Sequence, residues 1–275
     1  MSIPSLSMEG KTAIVTGARR GIGEATALAF AEAGADVAIC DWVVEGGELA
    51  AVADKIEKLG RRSVVVQVDV SRKADVDNMV QQAMDAFGAI DILVNNAGIS
   101  SGTPFLEMSE DEWDSVISVH LKGCYLCGQA VAKIMVEQKK GNIINIASVE
   151  GLRSVRRTAN PYPSAKAGIM LLTRGLAWEL GPYNIRVNAI APGAIRTEML
   201  RDAWSDPIAS KILEGLIPLG RMAEPREIAN VALFLASDVS SFVTGHTIVA
   251  DAGLMAGFQG PPHPDDVLRL ASQMQ

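Results

Sequence analysis

The sequence predicts an α/β chain: a doubly wound parallel sheet of about seven strands with helices on both faces. Three observations predict it. Short apolar, β-prone runs alternate with longer helical patterns along nearly all of the 275 residues. The first strand passes through a glycine turn straight into an Ala-rich helix. Several strands end in small, amide or acidic residues, which suits a ligand crevice at the carboxyl edge of a parallel sheet.

Taken in order, residues 11–16 (K-T-A-I-V-T) form the first strand, and Gly17, Gly21 and Gly23 shape the turn into a helix over residues 24–33. Residues 36–40 make a second strand ending at Asp41, a polar-faced helix covers 45–59, and a third strand covers 63–68 and ends at Asp69. A helix over 73–87 leads to strand 90–94, which runs into Asn95-Asn96-Ala97-Gly98. Ser109 with Glu112 three residues on is a capping pattern, and the helix it opens extends to about residue 138. Strand 142–147 delivers Ser148, a loop over 150–160 carries Arg153, Arg156 and Arg157, and a helix covers 164–181. A sixth strand over 185–190 ends in Pro192-Gly193; helix 224–236 and strand 246–250 complete the alternation. Residues 197–216 have no strand pattern and suit a flexible lid beyond the sheet edge. One domain over residues 1–256 is expected, with 257–275 (Pro261, Pro262 and Pro264 among them) as a C-terminal extension outside the α/β rhythm.

Composition narrows the function. With 48% hydrophobic and 21% charged residues the chain buries a proper core, and a net charge of −7 argues against a nucleic-acid surface. No apolar run approaches the roughly 18 residues of a membrane span, and Met1-Ser2-Ile3-Pro4 does not resemble a signal peptide. The three cysteines, Cys40, Cys124 and Cys127, are too few for a disulfide framework. The C-x-x-C lies inside a helical pattern and lacks a second ligand pair, so buried reduced thiols, no metal and a cytoplasmic location are expected.

The chemistry concentrates at two places. Strand, glycine turn and helix make a phosphate-binding layout, in which the backbone approaches a pyrophosphate at the helix N-terminus. The spacing is G-x-x-x-G-x-G, and an acid at the end of the second strand, Asp41, suits ribose hydroxyls. A 2′-phosphate there would meet a carboxylate, a repulsion of about 4 kcal/mol at ~4 Å and an effective dielectric of ~20. Asp41 therefore favours NAD, while Arg20 in the turn pulls towards NADP. At the second place Tyr162 and Lys166 are four apart on a helix and share a face, roughly 6 Å apart along its axis. A phenol beside an ammonium is an acid/base whose ionised form the cation favours.

These residues together resemble the short-chain dehydrogenase/reductase family. The likeness rests on Thr16-Gly17-x-x-x-Gly21-Ile22-Gly23, Asn95-Asn96-Ala97-Gly98, Ser148, Tyr162-x-x-x-Lys166 and Pro192-Gly193, in the family's order and over about residues 8–254. It implies a Rossmann-type fold of the compact branch, commonly tetrameric, acting on a small alcohol or ketone. Tyr162 would transfer the proton, Lys166 would lower its pKa and hold the nicotinamide ribose, and Ser148 would polarise the substrate oxygen. The cofactor cleft would comprise Gly17, Arg19, Arg20, Gly21, Ile22, Gly23, Asp41, Trp42, Asp69, Val70, Asn96, Ala97, Gly98, Tyr162, Lys166, Pro192, Gly193, Ile195 and Thr197.

Two departures from the pattern stand out. Where the family carries a relay asparagine, this chain has His120, which reads either as a structural imidazole or as a relay titrating near neutrality. Pro161 and Pro163 flank Tyr162, and Pro163 can occupy a helix's first turn. The loop arginines suggest an anionic group on the substrate. The leading reading is an NAD-linked alcohol–ketone oxidoreductase acting on a sugar, polyol or other hydroxy compound. The alternative is an NADPH-linked 3-oxoacyl thioester reductase. A non-enzymatic cofactor sensor is disfavoured because Tyr162 and Lys166 are both present.

Overall fold

A computed structural model describes residues 5–100, 102–154 and 161–257. Seven strands form one sheet: β1 (Thr12–Thr16), β2 (Asp36–Asp41), β3 (Ser63–Gln67), β4 (Ile92–Asn95), β5 (Gly141–Ile146), β6 (Ile185–Pro192) and β7 (Thr247–Ala250). Their order is β3-β2-β1-β4-β5-β6-β7, and every pairing is parallel. The order reverses between β1 and β4, the switch point at which an open parallel sheet gapes to form a crevice.

Strand periodicity assigns the two faces. Ala13, Val15, Val37 and Ile39 point to one side and pack with α1 (Gly21–Glu32), α2 (Glu48–Lys58) and α9 (Pro225–Ala236) through Phe30, Leu49, Ile56 and Ile228. Ile14, Ala38 and Cys40 point to the other side. There they meet α3 (Lys73–Phe87), α5 (Gly123–Gln138) and α6 (Pro161–Leu180) through Met79, Val131, Met135 and Leu180. Both faces being covered is why these strands read as continuous apolar runs rather than alternating ones. Each fully buried side chain of this size contributes about 1.5–3 kcal/mol.

Helix α6 is fixed to the sheet by a buried polar chain. Asn95 Nδ2 donates to Asn145 Oδ1 at 2.8 Å, and Asn145 Nδ2 donates to Thr173 Oγ1 on α6 at 2.9 Å. Both asparagines would otherwise be unsatisfied in the core, so their partners are obligatory.

The predicted elements recur with local shifts. The helix expected from Ser109 to residue 138 is three pieces: α4 (Glu110–Ile117), a π-helical turn over Ser118–Lys122, and α5. Ser109 caps α4 as expected, accepting from the Glu112 N–H at 3.2 Å. The π turn precedes Gly123, whose backbone lies so close to Val70 that a Cβ would stand 2.9 Å from Val70 Cγ2. Helix α6 begins at Pro161, so both prolines lie in its first turn, where a missing N–H costs nothing. The segment over residues 197–216 is helical where an irregular stretch was expected: a 3₁₀ turn (Glu198–Leu200), α7 (Arg201–Ser205) and α8 (Pro207–Gly215). Asp206 caps α8, accepting from Ile208 N at 2.9 Å and Ala209 N at 2.7 Å. The last strand begins at Thr247, one residue after the expected His246.

Candidate active site

The glycine turn is built for close backbone approach. Gly17 and Gly21 have φ of 65° and 62°, the left-handed region that favours glycine. A Cβ on Gly23 would lie 2.1 Å from Gly17 O, so any side chain there would break the turn. Thr16 and Asn96 brace it from below. Thr16 Oγ1 accepts from the N–H groups of Asn96 (3.0 Å) and Ala97 (3.1 Å), and Asn96 Nδ2 donates to Thr16 O (2.9 Å) and Gly17 O (3.0 Å). The turn ends where α1 begins, and Gly21 and Ile22 of that helix's first turn line the crevice. This cradle fits the pyrophosphate of a dinucleotide.

Above the turn lies a cleft of about 1060 Å³, large enough for a dinucleotide with a small substrate. Of the expected cofactor residues it brings together all but Gly23, which packs beneath the turn. Asp41, at the end of β2, accepts from Val43 N at 3.0 Å and Arg19 N at 3.4 Å. Trp42 beside it is 64% exposed. The Asp69 carboxylate is turned onto Ser71, whose N–H and hydroxyl both donate to Oδ1, at 2.9 and 2.7 Å. Gly193 passes Asp251 so closely that a Cβ would lie 2.8 Å from its Cα. Thr197 borders the Gly21 side, and its carbonyl accepts from Trp204 Nε1 at 2.8 Å, tying α7 to the rim.

The other end of the same cleft holds Ser148, Tyr162, Lys166 and His120. Lys166 is buried and donates from Nζ to Ile146 O at 2.6 Å, with Nζ 5.4 Å from the Tyr162 ring centroid. Burial pushes its ammonium down to about 8. Ser148 Oγ accepts from Glu150 N at 3.1 Å. One lone pair is thereby occupied and the hydroxyl proton can still point into the cleft.

The structure corrects one expectation for His120. Burial and then the Lys166 charge push its imidazole down to about 3, so the ring is neutral throughout the physiological range and does not titrate near neutrality. Nε2 lies 2.7 Å from Ile99 O and 3.1 Å from Ile99 N. One nitrogen cannot donate and accept at once, and the shorter contact assigns Nε2–H as donor to the Ile99 carbonyl. The ring stands edge-on to Tyr162 with centroids 5.1 Å apart.

Arg153 is exposed and, among the described residues, is not one that lines the cleft; Arg156 and Arg157 lie outside the described residues, as does the extension beyond Gly257. No three His, Cys, Asp or Glu side chains group as metal ligands among the described residues. Nor is any described helix long and apolar enough to cross a membrane.

The family described as Enoyl-(Acyl carrier protein) reductase matches residues 17–255. The chain is 45% identical over 257 residues to the (2S)-((R)-hydroxy(phenyl)methyl)succinyl-CoA dehydrogenase subunit BbsD of Thauera aromatica, covering 92% of this chain and 100% of that one. It is 44% identical over 245 residues to the 3-oxoacyl-(acyl-carrier-protein) reductase FabG of Chlamydia trachomatis serovar D, covering 89% and 97%. A crystal structure of a gluconate 5-dehydrogenase from Burkholderia cenocepacia, in complex with NADP and tartrate, superposes with a TM-score of 0.86 at 36% identity, covering 92% and 98%.

The chain is a short-chain dehydrogenase/reductase. As a member of that family it is an NAD(P)-dependent oxidoreductase acting on a small molecule. Within this dehydrogenase/reductase several supporting residues were not singled out from sequence. Asn145 and Thr173 anchor α6, and Glu48 pairs with Arg19 beside the glycine turn. Their signal is three-dimensional: each partner lies 28 or 29 residues away, with no motif linking the two.

Proposed function

We propose that this enzyme interconverts a secondary alcohol and a ketone with NAD, on a sugar, polyol or related hydroxy compound. The observation that carries this reading is the buried Lys166 ammonium beneath the Tyr162 ring, both facing the cofactor cleft. A bound nicotinamide supplies or accepts the hydride. Tyr162 gives its phenolic proton to the substrate oxygen in reduction and takes it back in oxidation. Lys166, charged at pH 7, favours the phenolate, which eases release of the phenolic proton in reduction and raises the share of Tyr162 present as the base for oxidation. Ser148, with Glu150 N–H on one lone pair, donates its own proton to the same substrate oxygen and stabilises charge developing there. His120 holds the Ile99 end of the cofactor loop against the Tyr162 ring. The helical segment over residues 197–216 acts as the substrate lid.

Asp41 supports NAD, since its carboxylate accepts ribose hydroxyls and repels a 2′-phosphate. A second reading, an NADPH-linked 3-oxoacyl thioester reductase, is favoured by the name of the Chlamydia trachomatis relative. In that case Arg156 and Arg157 would meet the anionic substrate, Arg153 not being among the residues that line the cleft. Measuring NAD⁺ and NADP⁺ reduction across alcohols, polyols, sugars and hydroxyacyl thioesters separates the two. The first reading expects turnover of a hydroxy compound with NAD⁺; activity confined to hydroxyacyl thioesters with NADP⁺ would establish the second.

We also infer a homo-oligomer, a tetramer by family likeness, in the cytoplasm. Leu171 and Trp178 on α6 are 68% and 89% exposed, and Tyr125 on α5 lies on a neighbouring helix, an apolar surface suited to another copy. Three free buried thiols suit a reducing compartment. Light scattering on the purified chain reads the oligomeric state, and a monomer at micromolar concentration would refute it.

A further inference from the structure

The glycine turn carries an arginine whose charge is already engaged. Arg19 lines the cofactor cleft with its side chain 17% exposed, and its Nε lies 3.7 Å from Asp41 Oδ1. That separation is an ion pair but not a hydrogen bond, and Nε has no hydrogen-bond partner among the described residues. Its Nη1 is paired with the Glu48 carboxylate. Glu48 is the first residue of α2, presented by Gly46 and Gly47, whose φ values are 87° and 77°. Glu48 lines the outer cleft beside Arg20 and Glu24, and not the cofactor cleft itself.

Asp41, Glu48 and Arg19 sum to about −1 where a 2′-phosphate would arrive. Arg20 lines both clefts, and it shares the outer one with Glu24 and Glu48. Arg19 is the group whose fork fits a phosphate, but Glu48 holds the Nη1 end of that fork.

We propose that Glu48 is a specificity-determining residue for the cofactor: by holding the Arg19 guanidinium it withholds that group from a 2′-phosphate. The inference rests on the proposed NAD reading and extends it from Asp41 to a residue outside the cleft. Removing the Glu48 charge leaves Asp41 and Arg19 to balance, and frees Nη1 to donate to the phosphate. Freeing that one charge-assisted donor should tighten NADPH about tenfold, which is about 1.4 kcal/mol.

The test is equilibrium titration of the full-length protein with NADH and with NADPH, followed by nicotinamide fluorescence at low ionic strength. In Glu48→Gln, Kd for NADPH should fall about tenfold while Kd for NADH stays within about twofold. Adding Arg19→Ala to that variant should abolish the gain. An unchanged NADPH Kd, an equal tightening of NADH, or a gain that survives Arg19→Ala would each overturn the proposal. Wild-type protein that binds NADPH more tightly than NADH would refute the NAD reading alone, because the response to Glu48→Gln is read independently.

Discussion

The imidazole of His120 stands edge-on to the phenol of Tyr162, with ring centroids 5.1 Å apart and planes at 90°. The contact joins the π turn between α4 and α5 to the first turn of α6, and the Ile99 hydrogen bond extends it to the loop after β4. Three walls of the cleft therefore meet at one neutral ring.

Burial of that ring predicts an acid-sensitive fold. The folded imidazole titrates at about 3, well below the ordinary value of 6.5. Between those two pH values the unfolded chain binds a proton that the folded chain does not, so stability falls as pH drops from 6.5 towards 3. The upper limit is on the order of 5 kcal/mol. Denaturant titrations of wild type and His120→Asn across this window should diverge, with the variant losing less. Parallel losses would show that the ring is not buried neutral.

Gly98 predicts a coupled pair. A Cβ there would stand 2.4 Å from Cε1 and 3.1 Å from Nδ1 of the buried His120 ring. Gly98→Ala should cost about 1–3 kcal/mol by overpacking in the wild type, and clearly less in a His120→Ala background. A double-mutant cycle measured by urea unfolding reads the difference; additive costs would place the clash elsewhere.

Lys166 predicts a pH dependence of the same sign as that of His120, in a higher window. Its folded pKa of about 8 lies below the ordinary 10.5, so the charge penalty is full below pH 8 and is relieved as pH rises towards 10.5. Wild-type stability should gain about 3 kcal/mol over that window relative to Lys166→Met. The carbonyl of Ile146 left unpaired by the substitution adds an offset that does not depend on pH, so the slope is the readout. A constant difference between wild type and variant from pH 8 to 10.5 would contradict a buried ammonium.

Much of this molecule is legible in its sequence because parallel sheets buried on both faces leave unbroken apolar runs such as Ile14–Val15 and Val37–Cys40. The turn residues at their ends are marked by composition. Asp41, Ser148, Tyr162 and Lys166 all meet in the cleft because each lies at or just past a strand end or in the first two turns of a helix, positions that a one-dimensional reading can assign. The π turn at Ser118–Lys122 escaped, since one extra residue in a turn barely disturbs an apolar pattern. The short helices α7 and α8 escaped because five and nine residues are too few to show a period. The neutrality of His120 and the Arg19–Glu48 pair depend on what surrounds a side chain in space, and neighbours distant in sequence supply that environment.

The proposed proton transfer rests on Tyr162. With a hydroxy compound that the wild type oxidises with NAD⁺, Tyr162→Phe should lower kcat by about 10²–10⁴-fold, since the substitution removes only the proton-transfer group. NADH affinity should stay close to that of the wild type. Full turnover by Tyr162→Phe would contradict the assignment of Tyr162 as the acid and base of this reaction.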